Sequence, residues 1–437
     1  MRSSTVFRVA VACAAFLGPR VSHGDGPCEV AKLTGDPGFG SSFGLSLAIS
    51  GDYIVAGDAS DSTKGSTAGA AYIFHRAAGR WEREAKIFGS GTDFMDVFGF
   101  SVAVEGDRVV VGAPHYDPAG SQWWGYAFVF QRVDQTWVEQ QKLISSQSAL
   151  DDRFGWSVAI SGDWIAVGAP WQDDYFGRVF LFRWDGNSFI EEASIFGPHL
   201  EQFEQFGTAI ALDQDRLIVG YQAADERRGK AYVFRRDGVS WLEEAQLTAS
   251  DAAPNDLFGY AVSLSGDFAI VAGPGTDHTG LGAGSAYIFH RTGMIWTEQA
   301  NLHGSNPQAG AEFGTSVRIR APYALVGAPG HDIGGTDDNT GATFLFQYVS
   351  GAWSEVTPFV PNNADPGIVF GVAMGFDGVS AVIGASSSAY VFAVPNGPPC
   401  IPVMSFIGVC ILAGVLVIAG VALLGRSNLN VTHYDDS

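Results

Sequence analysis

Hydrophobic and polar side chains alternate with a period of two along much of the chain, a pattern that predicts β-strands. Residues 154–161 show it clearly, because apolar residues such as Trp156 and Ile160 alternate there with serine and alanine. Gly162 and Asp163 follow, and a Gly-Asp pair favours a tight hairpin turn. A second, antiparallel strand is therefore expected directly after the turn.

Three further strands complete this unit. Trp164–Ala169 is predicted as the second strand, and Pro170 ends it, because proline lacks the amide hydrogen that a strand ladder needs. Residues 178–183 and Phe189–Phe196 are predicted as the third and fourth strands, joined by another turn. Four short antiparallel strands per repeat are typical of one blade of a β-propeller.

A Phe-Gly pair opens each copy of the unit, and successive pairs lie 52 to 57 residues apart. The seven pairs begin at Phe43, Phe98, Phe154, Phe206, Phe258, Phe313 and Phe370. The seventh copy lacks a fourth strand, whereas Cys28–Leu33 has the sequence pattern of one. We therefore predict an all-β fold, a seven-bladed β-propeller closed by the N-terminal strand, which protects the strand edges.

Both ends of the chain carry apolar segments outside the repeats. Residues 1–24 combine early arginines, an apolar centre and a small-residue cleavage pattern, which predicts a secretory signal peptide. Residues 401–424 carry no charge and are long enough to span a bilayer as a helix. Arg426 follows directly, so the positive-inside rule places the end of the chain in the cytoplasm.

These segments divide the chain into a signal peptide (1–24), a propeller ectodomain (25–399), a transmembrane helix (400–425) and a cytoplasmic tail (426–437). The expected protein is a single-pass type I membrane protein, with its propeller outside the cell or in the lumen of the secretory pathway. Plasma membrane and internal membranes both fit this pattern.

Charge and cysteine content narrow the partners and the compartment. The formal net charge is −21 and the isoelectric point is about 4.6, which disfavours nucleic acids and anionic lipid surfaces as partners. Cations, basic proteins and neutral glycans remain compatible. Cys28 and Cys400 lie at the two ends of the ectodomain, and an oxidising compartment favours a disulfide between them over two free thiols.

Phe-Gly followed some fourteen residues later by Gly-Ala-Pro resembles the FG-GAP repeat of integrin α-chain propellers. The Gly-Ala-Pro element is intact at 112–114, 168–170 and 327–329 and degraded in the other copies, and the resemblance covers residues 28–393. In integrins, several blades hold calcium in a long acidic hairpin between the first two strands.

That calcium site does not carry over, because the corresponding hairpins here are two residues long and calcium needs six to eight oxygen ligands. No cofactor is therefore expected. One alternative stays open, a calcium site in a loop of the sixth repeat, whose oxygen ligands would come from Asp332, Asp337, Asp338 and Asn339.

In the predicted propeller, the loops after the second strands and before the Phe-Gly pairs share one face, which we call the loop face. This face gathers many acids and, in the second and third blades, a group of aromatic residues. The predicted ligand-binding residues are Tyr116, Asp117, Trp123, Trp124, Trp171, Asp173, Asp174 and Tyr175. Exposed aromatics beside carboxylates suit recognition of a protein or glycan, although the same rings could simply cap the blades.

The sequence contains no convincing enzyme motif, so we predict a membrane-anchored binding or adhesion protein with no catalytic residues. Its partner would be an extracellular protein or glycan recognised by the loop face. Two alternatives stay open: a propeller hydrolase or lyase that uses carboxylates of this face, and a purely structural surface protein. The oligomeric state is not indicated.

Overall fold

The structure is a computed structural model that describes residues 28–37, 41–115, 124–147, 149, 151–197, 205–332, 339–362 and 367–394. Within these residues, 28 strands form seven four-stranded antiparallel sheets. The prediction of an all-β, seven-bladed propeller is confirmed.

The first strand, β1 (Cys28–Leu33), belongs to the last sheet. The other strands follow the chain, blade by blade. Blade one contains β2 (Ser46–Ser50), β3 (Tyr53–Asp58), β4 (Ala70–Ala77) and β5 (Arg80–Ile87). Blade two contains β6 (Ser101–Glu105), β7 (Arg108–Ala113), β8 (Tyr126–Val133) and β9 (Thr136–Leu143).

Blades three and four each carry a short helical turn between their second and third strands. Blade three contains β10 (Ser157–Ser161), β11 (Trp164–Ala169), α1 (Gln172–Tyr175), β12 (Arg178–Trp184) and β13 (Phe189–Phe196). Blade four contains β14 (Ala209–Asp213), β15 (Arg216–Tyr221), α2 (Ala224–Arg227), β16 (Lys230–Asp237) and β17 (Ser240–Leu247).

The last three blades have the same strand order. Blade five contains β18 (Ala261–Ser265), β19 (Phe268–Gly273), β20 (Ser285–Thr292) and β21 (Ile295–Leu302). Blade six contains β22 (Ser316–Arg320), β23 (Tyr323–Ala328), β24 (Ala342–Val349) and β25 (Ala352–Phe359). Blade seven contains β26 (Met374–Phe376), β27 (Ser380–Ala385) and β28 (Ser388–Ala393), and β1 pairs with β28 as its fourth strand.

The Gly-Asp pair of the repeat turns the chain, as predicted. Gly162 has a φ of 57°, a left-handed conformation that glycine adopts readily. Ser161 and Trp164 pair directly across the turn. The backbone oxygen of Asp163 accepts a hydrogen bond from the Trp184 amide at 2.8 Å, which ties the hairpin to β12.

The glycines of the repeat let neighbouring blades approach closely. Gly155, in the third Phe-Gly pair, has a φ of 93°. A Cβ added at Gly112, in the preceding blade, would lie 2.0 Å from the Gly155 carbonyl oxygen. The Ser101 hydroxyl donates a hydrogen bond to that same oxygen at 2.8 Å. The two halves of the motif therefore form one joint between successive blades, which is why both recur.

Hydrophobic packing holds each pair of adjacent blades together. In the part of the chain that the structure describes, seven clusters of buried side chains fill the seven interfaces between neighbouring sheets. One of them packs Val382 of blade seven against Leu47 of blade one, together with Leu33 of β1. The last and first blades are therefore packed like any other neighbours.

Several predicted segments lie outside the described residues: the signal peptide (1–24), the membrane span (400–425), the tail (426–437) and Cys400. They stay predictions. The described residues include no helix that is long and apolar enough to cross a membrane. Cys28 is disulfide-bonded, and its pairing with Cys400 remains an expectation of the sequence.

Candidate functional site

The structure describes five of the eight predicted ligand-binding residues. Trp124 precedes β8, Trp171 caps α1 at its start, and Asp173, Asp174 and Tyr175 belong to α1. Tyr116, Asp117 and Trp123 lie outside the described residues. The structure brings Trp171 and Tyr175 into contact and holds both against residues that the sequence analysis had not selected.

The turn α1 presents its side chains through an unusual backbone. Asp173, Asp174 and Tyr175 have φ values of 55°, 59° and 73°, so all three are left-handed. Such conformations cost non-glycine residues about 1 kcal/mol or more each, unless the surroundings hold them. Here the Gln172 side-chain amide is buried and donates to the Gln147 carbonyl at 2.9 Å, which anchors the turn to the loop before it.

Aromatic side chains form a continuous row across blades two and three, which we call the aromatic ridge: Phe100, Trp156, Trp171 and Tyr175. The ring centroids of Phe100 and Trp156 lie 4.6 Å apart. Trp156 stacks on Trp171 at 6.3 Å with an interplanar angle of 28°, and Trp171 lies 5.5 Å from Tyr175. Phe100, Trp156, Trp171 and Tyr175 are all partly exposed, so the ridge is both packed and accessible.

A buried cation supports the ridge. The guanidinium carbon of Arg153 lies 4.1 Å from the centre of the Trp171 ring, a cation–π distance, although only 5% of the residue is exposed. Burial lowers the pKa of the Arg153 guanidinium. Burial, with a smaller effect of positive Arg153, also lowers the pKa of His115 to about 4, so His115 is neutral near pH 7.

The acids of the loop face fall into two groups. Asp174 is exposed. Asp173 is also exposed, but its Oδ2 accepts two hydrogen bonds from Arg178, at 3.0 Å from Nε and 2.7 Å from Nη2. Other acids are buried and accept hydrogen bonds from neighbouring residues of the loops. These buried acids are Asp58, Asp96, Asp152 and Asp256. The acids of the loop face therefore include buried groups as well as exposed ones.

Asp152 is a buried acid that contacts the residue at the start of α1. Its backbone oxygen accepts a hydrogen bond from the Trp171 amide at 3.4 Å, and its carboxylate accepts one from the Ala149 amide. Burial raises the pKa of Asp152 to about 6, an effect opposed by the Ala149 amide and reinforced by the charge of Asp173. Asp152 therefore contacts the start of α1 through its backbone oxygen, while its carboxyl group is hydrogen-bonded to the loop before it.

Trp124 lies partly buried just before β8. Its indole nitrogen is buried and meets no hydrogen-bond acceptor among the described residues. A buried indole N–H usually finds a partner, and this one is closed off from solvent in the structure. The structure does not place Trp124 in the ridge.

The loop proposed for calcium is described only in part. The Asp332 carboxylate accepts a hydrogen bond from the Asn339 amide at 2.8 Å, while Asp337 and Asp338 lie outside the described residues. In the described ranges, no group of three or more His, Cys, Asp or Glu side chains is arranged to hold a metal ion. Calcium at this loop stays an untested alternative.

Sequence reasoning missed Arg153, Trp156 and Phe100. Phe100 and Trp156 each follow a Phe-Gly pair directly, where other blades have Leu45, Thr208, Tyr260, Thr315 and Val372. A comparison of the seven equivalent positions would have shown two large aromatics side by side in blades two and three. Their alternation with small residues instead made them look like ordinary strand positions.

The sheets and their glycine joints define a β-propeller assembled from one repeated unit. A family model described as FG-GAP repeat matches residues 28–74, 81–130, 137–182, 189–234, 241–289 and 296–346, together more than half of the chain. The chain therefore belongs to the FG-GAP repeat family. This membership points to a domain of the binding or adhesion type and names no ligand.

Proposed function

We propose that the protein is a membrane-anchored surface receptor or adhesin that recognises an extracellular protein or glycan through the aromatic ridge. It acts by binding and not by catalysis. The observation that carries the proposal is the ridge itself: four contacting, partly exposed rings on one face of a rigid scaffold. Aromatic anchors of this kind dominate the energetics of many binding surfaces.

The acids beside the ridge supply the polar part of recognition. Asp174 is exposed and carries a negative charge next to Tyr175, while Asp173 is held in place by Arg178. Carboxylates can accept hydrogen bonds from sugar hydroxyls or from basic side chains of a protein. The overall charge of −21 favours the same neutral or basic partners.

Two further features belong to the proposal. The signal peptide (1–24) and membrane span (400–425) would place the propeller outside the cell. The pairing of β1 with β28 would close the ring, and a Cys28–Cys400 disulfide would secure it near the membrane. A disulfide that closes so long a loop contributes about 4–5 kcal/mol in the chain-entropy model.

The function is tested by measuring whether the full-length chain, in detergent or nanodiscs, binds to members of a defined glycan panel and of a panel of cell-surface proteins. The double variant Trp171→Ala/Tyr175→Ala removes two rings of the ridge. We expect affinity for the recognised partner to fall about thirtyfold or more, since a single anchor of this type contributes about 2 kcal/mol or more.

Arg227→Ala is the matched control, because Arg227 occupies in α2 the position of Tyr175 in α1. It should leave affinity unchanged. Unchanged affinity in the double variant, at a melting temperature equal to that of the unmodified chain, would exclude the ridge as the binding site.

An epitope tag at the C-terminus tests the anchoring. Antibody should reach the tag only after the cells are permeabilised, whereas an antibody against the propeller should label intact cells. Staining of the tag on intact cells would contradict the proposed orientation.

A further inference from the structure

The seven blades enclose a central channel with a volume of about 170 Å³. Most of its lining consists of aliphatic and small side chains from the first strand of each blade. The charged residues among the described residues that line it are Asp213, Arg318 and Arg320. The channel therefore carries a net positive charge inside a protein whose overall charge is strongly negative.

Strand register shows how unusual Arg318 is. Arg318 pairs with Leu325 in blade six, as Ala159 pairs with Ala166 in blade three. The same register position in the other blades is always small. Its residues are Ala48, Ala103, Ala159, Ala211, Ser263 and Gly375. One arginine therefore replaces a small residue in an otherwise uniform ring.

The guanidinium of Arg318 has little to bind inside the protein. Its Nη1 donates to the Val317 carbonyl at 2.9 Å, and no carboxylate of the described residues forms a salt bridge with it. The Asp213 carboxylate already has two other partners. Its Oδ2 accepts a hydrogen bond from the Gly266 amide at 2.7 Å, and its Oδ1 lies 3.8 Å from Nη1 of Arg320. Burial lowers the pKa of Arg318 to about 10, which still leaves it charged at neutral pH.

A largely buried charge without a counter-ion is costly unless water or a ligand satisfies it. The channel provides that access, because Arg318 retains partial exposure and the cavity has room for several waters or a small anion. A guanidinium presents two parallel N–H donors, a geometry that matches the paired oxygens of carboxylate, sulfate and phosphate.

We propose that the central channel is a binding site for a small oxyanion, held by Arg318 and reached from the end of the channel at Arg320. The proposal is independent of the ligand of the aromatic ridge. The site selects for oxyanions over halides because the fork of donors favours two oxygens at once. It gives an acidic protein one defined place for a negatively charged ligand.

Binding of inorganic phosphate to the full-length chain in detergent tests the proposal. Binding is measured as broadening of the phosphate line in phosphorus NMR, at constant ionic strength. The unmodified chain should broaden the phosphate signal saturably, sulfate and acetate should compete, and chloride should not. Arg318→Ser, which installs the residue that blade five has at this position, should weaken phosphate binding about tenfold or more.

Arg83→Ser is the matched control, because it removes one positive charge from the outer surface, where Arg83 pairs with Asp36. It should leave phosphate binding unchanged. Arg318→Lys keeps the charge but not the fork, and should bind phosphate more weakly than the unmodified chain and more tightly than Arg318→Ser. Equal binding by the unmodified chain and Arg318→Ser, or competition by chloride equal to that of sulfate, would overturn the proposal.

Discussion

Blades three and four have nearly the same backbone and different surfaces. After its second strand, each makes a short left-handed turn, α1 or α2, in which Asp173 and Asp225 have φ values of 55° and 54°. The side chains differ: Trp171 and Tyr175 in blade three correspond to Ala223 and Arg227 in blade four. One turn completes an aromatic ridge, and the other presents charged groups.

The comparison shows that the repeat determines the backbone of the turn, whereas the side chains on its surface can differ between blades. Gly177 and Gly229 follow the two turns with φ values of 83° and 82°. A Cβ on either would lie about 2 Å from the carbonyl oxygen of Phe206 or Phe258 in the next blade. The turns are therefore set by contacts between blades, so their side chains can diverge without loss of the fold.

The largest expected effect is on the shared backbone. Gly155→Ala places a Cβ 2.3 Å from the Tyr126 carbonyl oxygen, at a φ of 93° that alanine rarely adopts. The free energy of unfolding should fall by about 3 kcal/mol or more, measured by urea denaturation. Binding through the aromatic ridge should also be lost, because the ridge spans the two blades that this contact joins.

Gly162→Ala is the control for this change. Gly162 also has a positive φ, 57°, but a Cβ there meets nothing within 4 Å. Its cost should be about 1 kcal/mol. If the two variants destabilise the protein equally, close packing at the joint is not what requires the glycine.

The next effect concerns the buried carboxyl group of Asp152, in the loop before α1. Asp152 has a folded-state pKa of about 6, above its ordinary value of 3.8 because it is buried. Between these two pH values the folded state binds more protons than the unfolded state. The contribution of Asp152 to the free energy of unfolding is therefore fully present below pH 4 and is lost as the pH rises through 6.

Asp152→Asn keeps the hydrogen-bond acceptor and removes the titration. At pH 7 and above it should raise the free energy of unfolding by about 1–3 kcal/mol, with little gain at pH 4. Melting temperatures measured from pH 4 to pH 8 provide the check. A gain that does not depend on pH would contradict the raised pKa.

The smallest expected effect on stability concerns one hydrogen bond between successive blades, which is present after blade three and absent after blade four. Ser157 donates a hydrogen bond to the Gly207 carbonyl at 2.7 Å, whereas blade four has Ala209 at that position. Ser157→Ala should therefore lower the free energy of unfolding by about 1 kcal/mol. Ala209→Ser should recover part of such a bond at the next joint, so a loss of stability there would contradict the equivalence of the joints.

Much of the fold could be predicted from the sequence, because the period-two pattern, the turn residues and the repeat all indicate the same unit. In blade three, β11 and β13 have the predicted bounds, and β12 extends one residue beyond the predicted end to Trp184. The left-handed turn α1 was not foreseen, since non-glycine residues adopt this conformation only under tertiary constraint.

The candidate site was predicted less completely. Trp171 and Tyr175 were selected as loop aromatics, but their partners Trp156 and Arg153 lie on either side of Gly155, in the repeated motif itself. Their roles depend on a contact between a strand start and a loop, which alternation within one strand cannot reveal. Arg318 was missed for a similar reason, because only the ring of equivalent positions makes it an exception.

Transfer of blade-four residues to the turn of blade three tests the central claim most directly. The triple variant Trp171→Ala/Tyr175→Arg/Phe176→Arg gives blade three the blade-four residues at these three positions, which correspond to Ala223, Arg227 and Arg228. Ligand binding is then measured on the full-length chain, together with its melting temperature. The account predicts that the protein stays folded and loses its ligand, with affinity reduced about thirtyfold or more. Full affinity in the folded variant would contradict the assignment of binding to the aromatic ridge.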